Sequence, residues 1–172
     1  MIFNLVLFTS IIILLIILSM VWPPGSPWAP WWKTSGKTVR KMCKLAKITD
    51  KDIVFDLGSG DGTALIIAAK EFEAKGIGIE IDPLRFFISK FLIRINGVSH
   101  KVKIKRDNFF NQDLSGASVI FLYLVPKTLN LLLPKFKKEL KKGTKLVSYR
   151  YEINLPLAKE DKENNLYLYK IF

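Results

Sequence analysis

The sequence predicts an α/β protein with a doubly wound, mainly parallel sheet, preceded by one transmembrane helix. Two observations predict the sheet: a glycine-rich turn at residues 58–62 joins an apolar strand to a helix, and the next strand ends in Glu80, about twenty residues later. A third observation predicts the transmembrane helix, because residues 1–32 carry no charged side chain.

The glycine-rich turn lies in a unit that is typical of nucleoside binding. Residues 53–55 form a short apolar run, as in a buried parallel strand, and residues 63–70 follow the turn as a helix. Glycine permits positive φ and lets a ligand lie against bare backbone. Residues 76–81 form the second strand, where the Glu80 carboxylate can accept hydrogen bonds from both hydroxyls of a ribose.

The spacing of the glycines departs from the fingerprint of dinucleotide-binding proteins. That fingerprint places its third glycine three residues after the second, whereas Gly62 follows Gly60 by two. Asp56 ends the first strand, where its negative charge would repel a pyrophosphate. A carboxylate in this place instead suits a ligand with positive charge, such as the amino group of a methionine moiety.

Length and composition limit the other classes. The 172 residues allow one domain besides the first thirty residues. The net charge of +12 suits a soluble basic surface, an anionic membrane face, nucleic acid or an acidic partner. Cys43 and His100 are the only cysteine and histidine, which excludes an intrachain disulfide and argues against zinc, so we predict no metal.

Residues 1–22 are predicted to be a membrane anchor. As a helix, the apolar run spans roughly the 30 Å hydrocarbon core of a bilayer, at about 1.5 Å per residue. A cleaved signal peptide is the alternative, but the run lacks a basic start and a small-x-small cleavage site. Residues 23–36, rich in proline and tryptophan, are predicted to be an interfacial linker, unless their indoles pack on the domain.

Residues 37–172 are predicted to be a single domain that carries the ligand site, on the cytoplasmic side of a single-pass membrane protein. Six basic residues and no acid lie between residues 33 and 47, and positive charge beside a span marks the cytoplasmic side. Val39, Met42, Cys43 and Ala46 recur at helical spacing, which predicts an amphipathic helix. Its basic face would contact either solvent or anionic lipid.

The rest of the chain alternates helices and strands, as a doubly wound sheet requires. Helices are predicted at residues 83–96 and 127–133, where Pro134 should interrupt the second helix before a basic continuation at residues 135–142. Further strands and a closing hairpin are predicted at residues 101–105, 117–125, 144–151, 155–160 and 166–172.

Two motifs resemble those of the class I S-adenosylmethionine-dependent methyltransferases, which have a Rossmann-like fold. Residues 56–62 resemble their motif I, and Glu80 resembles the acid that ends their second strand. Residues 26–151 resemble the small protein-lysine methyltransferases, which include archaeal broad-specificity enzymes and the mitochondrial enzymes for the ATP synthase c subunit and the adenine nucleotide translocase. The resembling segments are Pro30-Trp-Trp-Lys-Thr34, Val39-Arg-Lys-Met42, Gly78-Ile-Glu-Ile81, Asn108-Phe-Phe110, Asp113-Leu-Ser and residues 132–148.

The resemblance implies S-adenosylmethionine as the cofactor and assigns residues to it. The ribose hydroxyls would bind Glu80, the adenine edge would meet Asp107 or Asn108, and Thr34 would close over the cofactor. The methionine part would be surrounded by Asp56, Gly58, Ser59, Gly60 and Gly62. The chain departs from the family at Lys33, where a proline is usual, and at Tyr149, where histidine or a similar residue is usual.

The resemblance also implies methyl transfer to a lysine side chain of a protein, which the anchor suggests is membrane-associated. Tyr123, at the end of the fourth strand, would orient the amine through its hydroxyl, although a tyrosine there often only packs. Residues 121–126 lack the Asn/Asp-Pro-Pro-Tyr/Phe motif of amino-methylating nucleic-acid enzymes, which disfavours a nucleic-acid substrate. A lipid or quinone methyltransferase, an RNA methyltransferase and a non-catalytic adenosine-binding membrane domain are the alternatives.

Overall fold

The computed structural model describes residues 2–21 and 32–172. Helix α1 (Ile2–Val21) has 20 residues, and the side chains at 2, 3, 17 and 19–21 are not among those described. Within the described part of the chain, no helix is both long enough and apolar enough to cross a membrane. The linker predicted at residues 23–36 falls largely outside the described residues.

A seven-stranded sheet forms the centre of the domain, with strand order β3-β2-β1-β4-β5-β7-β6. The strands are β1 (Ile53–Leu57), β2 (Lys75–Glu80), β3 (Val102–Arg106), β4 (Val119–Leu122), β5 (Lys145–Tyr149), β6 (Leu157–Asp161) and β7 (Leu166–Lys170). The first five run parallel, and β7 pairs antiparallel with both β5 and β6. The predicted mainly parallel sheet and closing hairpin are therefore confirmed.

Four helices cover the two faces of this sheet: α2 (Gly36–Ala46), α3 (Thr63–Glu71), α4 (Pro83–Ile95) and α5 (Pro126–Glu139). One apolar core joins α2, α3 and α4 to one face, with Val39, Leu65 and Ile93 among its buried members. The other core joins α5 to the opposite face through Leu129 and Phe136. This arrangement confirms the doubly wound fold.

Helix α2 has the amphipathic face that its sequence predicts. Its four predicted apolar positions are all at most 3% exposed. The Ser35 hydroxyl caps the helix by accepting a hydrogen bond from the Thr38 backbone N–H at 3.1 Å. Burial raises the pKa of the Cys43 thiol to about 12, so this cysteine stays protonated and serves packing.

The predicted break at Pro134 is wrong, because α5 runs without interruption from Pro126 to Glu139. Proline removes one hydrogen bond from a helix interior. Here Leu132 and Phe136, two residues on either side, are fully buried against the sheet. Packing of this apolar face offsets the lost hydrogen bond and keeps the helix continuous.

Candidate functional site

A pocket opens at the carboxyl ends of β1, β2 and β4. The chain adds β2 and β3 on one side of β1 and then returns to place β4 on the other side. This reversal of strand order leaves a crevice above the sheet, where doubly wound proteins bind their ligands. The segment Trp32–Thr34 covers one side of the pocket.

The glycine-rich turn forms the floor of the pocket and is held by β2. Gly58, Gly60 and Gly62 have φ values of 82°, 56° and 77°, which favour glycine over residues with a side chain. The backbone N–H groups of Gly58 and Ser59 both donate to the Ile79 carbonyl, at 2.9 and 3.1 Å. The turn is therefore fixed before any ligand binds.

Ser59 contributes a buried hydroxyl to this floor. Its Oγ has no hydrogen-bond partner among the described residues, although buried polar atoms normally have one. A polar group of a bound ligand would satisfy it. Gly78 on β2 makes room for this serine, because a Cβ there would lie 2.6 Å from the Ser59 Oγ.

Glu80 ties the turn to the end of β2 and faces the pocket at the same time. Its Oε2 accepts a hydrogen bond from the Gly60 N–H at 2.7 Å, and its Oε1 accepts one from the Asp82 N–H at 2.9 Å. Burial raises the pKa of Glu80, although these two bonds oppose the rise. Each oxygen keeps a free lone pair, so the carboxylate can still accept from two vicinal hydroxyls.

Asp56 lies at the end of β1, beside the reversal of strand order. Burial, together with the nearby carboxylates of Glu80 and Asp61, raises the pKa of Asp56 to about 7. All three acids line the pocket. Such a cluster favours a ligand that brings positive charge, since a cation would stabilise the ionised form of each acid.

An ion pair fastens the segment Trp32–Thr34 over the turn. Lys33 Nζ lies 2.8 Å from the Asp61 carboxylate, which also accepts a hydrogen bond from the Thr63 N–H. Burial raises the pKa of Asp61, but the bonds from Lys33 and Thr63 outweigh it and hold that pKa below its usual range. The pair brings Thr34 to the pocket wall.

Most residues predicted for the site line this one pocket, and three do not. The lining includes Thr34, Asp56, Gly58, Ser59, Gly60, Glu80 and Tyr123. Gly62 lies instead at the start of α3, where a Cβ would meet the Ser89 Cβ at 3.3 Å. Asp107 and Asn108 lie just after β3, next to Phe109, which does line the pocket.

Sequence reasoning missed several lining residues, among them Lys33, Arg85 and Phe109. Arg85 is 4% exposed, and its positive charge favours the ionised form of Glu80. No local pattern indicates this burial, because an arginine in the first turn of a helix is normally exposed. The ion pair of Lys33 with Asp61 likewise joins segments that are not adjacent in the sequence.

An aromatic pair flanks the other end of the pocket. β4 ends at Leu122, earlier than predicted, so Tyr123 leaves the sheet and lines the pocket. The Tyr123 and Tyr149 ring centroids are 4.7 Å apart, and the Arg150 guanidinium lies 5.7 and 5.5 Å from them. Burial raises the pKa of Tyr123, so its hydroxyl remains a hydrogen-bond donor at neutral pH.

The fold and the pocket together define a class of protein. A fixed glycine turn, an acid positioned for a vicinal diol and an acid positioned for a cation fit S-adenosylmethionine, which carries a ribose, an ammonium and a sulfonium. An RNA methyltransferase from Salinibacter ruber, solved with S-adenosyl-L-homocysteine, has the same fold, with a TM-score of 0.79 and 31% identity over 81% of this chain and 94% of that chain. The protein is a class I S-adenosylmethionine-dependent methyltransferase.

The family follows from the sequence comparisons. The family description "ANTKMT methyltransferase domain" matches residues 56–158, and the chain belongs to this family. A protein-lysine N-methyltransferase of Saccharolobus islandicus is 42% identical over 74% of this chain and 80% of its own length. A lysine N-methyltransferase of Xenopus laevis that acts on the ATP synthase c subunit is 30% identical over 73% of this chain, which spans 53% of that relative.

Proposed function

We propose that the protein is a membrane-anchored enzyme that methylates lysine side chains of proteins. The observation that carries the proposal is the 42% identity to the Saccharolobus islandicus protein-lysine N-methyltransferase over most of both chains. The aromatic pair beside the pocket supports it, since such faces attract the cationic head of a lysine.

The cofactor half of the pocket would hold S-adenosylmethionine by charge and by hydrogen bonds. The Asp56 carboxylate would pair with the ammonium of the methionine part, and Glu80 would accept from the ribose hydroxyls. Ser59 would gain the partner that its buried hydroxyl lacks among the described residues. Thr34 would close over the methionine part, and Asp107 or Asn108 would meet the adenine edge beside Phe109.

The acceptor amine must be neutral to react, because an ammonium has no lone pair. When bound, S-adenosylmethionine supplies an activated methyl group on a sulfonium, ready for in-line displacement. A lysine amine has a reference pKa of about 10.4, and desolvation beside a positive charge lowers it. The chain therefore needs to position the amine rather than supply a strong base, and positioning alone is worth several kcal/mol.

Tyr123 would hold the acceptor amine in line. Its hydroxyl can accept a hydrogen bond from a neutral amine while its ring forms a wall of the pocket. Tyr149 and Arg150 would border the entrance, where the arginine already occupies the aromatic faces that an incoming lysine could use. Entry of the lysine would then displace the guanidinium.

Residues 1–22 would anchor the protein in the membrane, with the domain in the cytoplasm. The sequence supports this, because the segment has no charged residue and the cations begin at Lys33. The described side chains of α1 are also exposed; Leu5 is 66% exposed and Phe8 is 68% exposed. An anchored enzyme would act on lysines of membrane-associated proteins.

A second candidate is an RNA methyltransferase, favoured by the net charge of +12 and by the function named for the Salinibacter ruber protein. The two are separated by incubating the full-length protein and radiolabelled S-adenosylmethionine with membrane proteins, soluble proteins, RNA or lipid extract. We expect label in protein, with methyl-lysine in the hydrolysate. Label in RNA or lipid alone would contradict the proposal. A matched sample without the protein gives the background, and an Asp56→Asn sample shows how far the incorporation depends on the cofactor site.

A further inference from the structure

Helix α4 carries an exposed apolar stripe on the side that faces away from the sheet. Leu84, Phe87, Phe91 and Ile95 are 36%, 62%, 62% and 60% exposed. With 3.6 residues per turn, these four positions fall within an arc of about 80°. A helix that packs on one side of a domain normally presents polar residues on its outer face.

The inner face of α4 is already in use, so the stripe is not a misplaced core face. Ile93 packs with α2, α3 and the sheet, and Ser89 is fully buried. Two apolar faces on one helix therefore require two partners. The domain supplies one of them, and the described residues leave the stripe open.

Two basic side chains lie along one edge of the stripe. Lys90 and Arg94 are exposed beside it, and α4 contains no acid. Across α2, α3 and α4, the three helices that share this side of the sheet, the one acidic residue is Glu71. Its carboxylate is already paired with Arg40 at 2.7 Å. The helical layer thus carries positive charge beside an apolar stripe, which matches an anionic lipid surface in both respects.

We propose that Leu84, Phe87, Phe91 and Ile95, with Lys90 and Arg94, form a surface that docks on an anionic bilayer. We call these six residues the α4 surface. The phenyl and aliphatic groups would enter the boundary between headgroups and acyl chains, and the two cations would lie at the level of the lipid phosphates.

This contact would orient the domain, which an anchor alone does not do. The α4 surface begins at Leu84, which directly precedes Arg85, a residue that lines the pocket. Docking therefore brings the pocket close to the lipid surface. The lipid contact depends neither on the nature of the methyl acceptor nor on whether α1 spans the bilayer. It can therefore be tested separately from the proposed function.

Fluorescence of a single labelled position tests the proposal in the full-length protein. Phe91→Cys would carry a polarity-sensitive dye, while the native Cys43 is fully buried with its pKa raised to about 12 and stays unlabelled. Lys138→Cys, exposed on α5 in the opposite layer, is the matched control. With phosphatidylglycerol vesicles that contain nitroxide lipid, we expect a blue shift and quenching at position 91 and neither at position 138.

Three outcomes would overturn the proposal. One is that the protein binds the vesicles but the dye at position 91 shows neither a blue shift nor quenching. Another is equal quenching at positions 91 and 138. The last is a blue shift without vesicles that grows with protein concentration, which would assign the α4 surface to a second copy of the chain.

A second substitution on the α4 surface gives an independent measure. In the Phe91→Cys protein bound to the nitroxide-containing vesicles, adding Phe87→Ser should roughly halve the quenching at position 91, whether or not α1 also holds the protein on the vesicle. Adding Leu131→Ser instead, at a position 49% exposed on α5, should leave the quenching unchanged. Both variants should melt normally and methylate a soluble acceptor at the native rate, which separates this proposal from the proposed function. Equal quenching with Phe87→Ser and with Leu131→Ser would contradict it.

Discussion

The cofactor half and the acceptor half of the pocket are built in different ways. In the cofactor half, hydrogen bonds hold backbone N–H groups and one carboxylate in place, such as the bond that the Gly60 N–H donates to Glu80 at 2.7 Å. In the acceptor half, Tyr123, Tyr149 and Arg150 meet only through side chains from two strand ends. The first half is rigid and common to a large class, whereas the second can vary with the acceptor.

Loss of Glu80 should have the largest effect, because it removes a ligand contact and a support of the turn together. Glu80→Ala should weaken S-adenosylmethionine binding by about a hundredfold or more, since the N–H groups of Gly60 and Asp82 lose their acceptor as well. Calorimetric titration measures this. Binding within threefold of the native protein would show that the turn does not depend on Glu80.

The cofactor half should also respond to pH through Asp56. Its pKa of about 7 in the free protein must fall when a cation binds, so binding releases a proton below pH 7. Affinity should therefore rise with pH, by up to about tenfold per unit, and level off above pH 7. Calorimetry in buffers of different ionisation enthalpy counts the protons.

The variant Asp56→Asn is the control for this titration. It should bind more weakly at pH 8 and show no proton release. Because the pKa of Asp56 is raised in the fold, the free protein loses stability as the pH rises from about 4 to about 7, and the loss stays constant above pH 7. The free variant should therefore melt at a higher temperature than the native protein at pH 8. A native protein with no proton release would contradict this account.

In the acceptor half, Tyr123→Phe should lower kcat about tenfold and leave cofactor binding unchanged. The change removes the hydroxyl that orients the amine but keeps the ring beside Tyr149. Tyr123→Leu should add a further loss through KM for the acceptor. If Tyr123→Phe keeps the native kcat, the tyrosine only packs in the pocket wall.

The smallest effect is expected at Arg150, which has a φ of 70°. Glycine tolerates this backbone conformation better than other residues. Arg150→Gly should therefore melt a few degrees above Arg150→Ala.

Both changes expose the faces of Tyr123 and Tyr149, and both should lower KM for a lysine acceptor two- to fivefold. A higher KM in both would mean that Arg150 binds the acceptor instead of competing with it.

The contrast between locally built and tertiary parts of the pocket also explains which features the sequence could predict. The glycine-rich turn and Glu80 could be predicted because their signals are local. Closely spaced glycines indicate positive φ, and the acid is recognised by its place at the end of a short strand. The pair of Lys33 with Asp61 and the buried Arg85 depend on tertiary contacts that no local pattern contains. The helix prediction failed at Pro134 because the burial of Phe136 against the sheet outweighed the unfavourable effect of proline on a helix interior.

Mass spectrometry of the methylated acceptor tests the central claim most directly. The full-length protein would be incubated with methyl-deuterated S-adenosylmethionine and the membrane fraction of its host, followed by digestion and sequencing of the peptides. The account predicts deuterated methyl groups on lysine side chains, and fewer of them with Asp56→Asn at the same cofactor concentration. Deuterium on RNA bases or lipids, with unlabelled lysines, would contradict it.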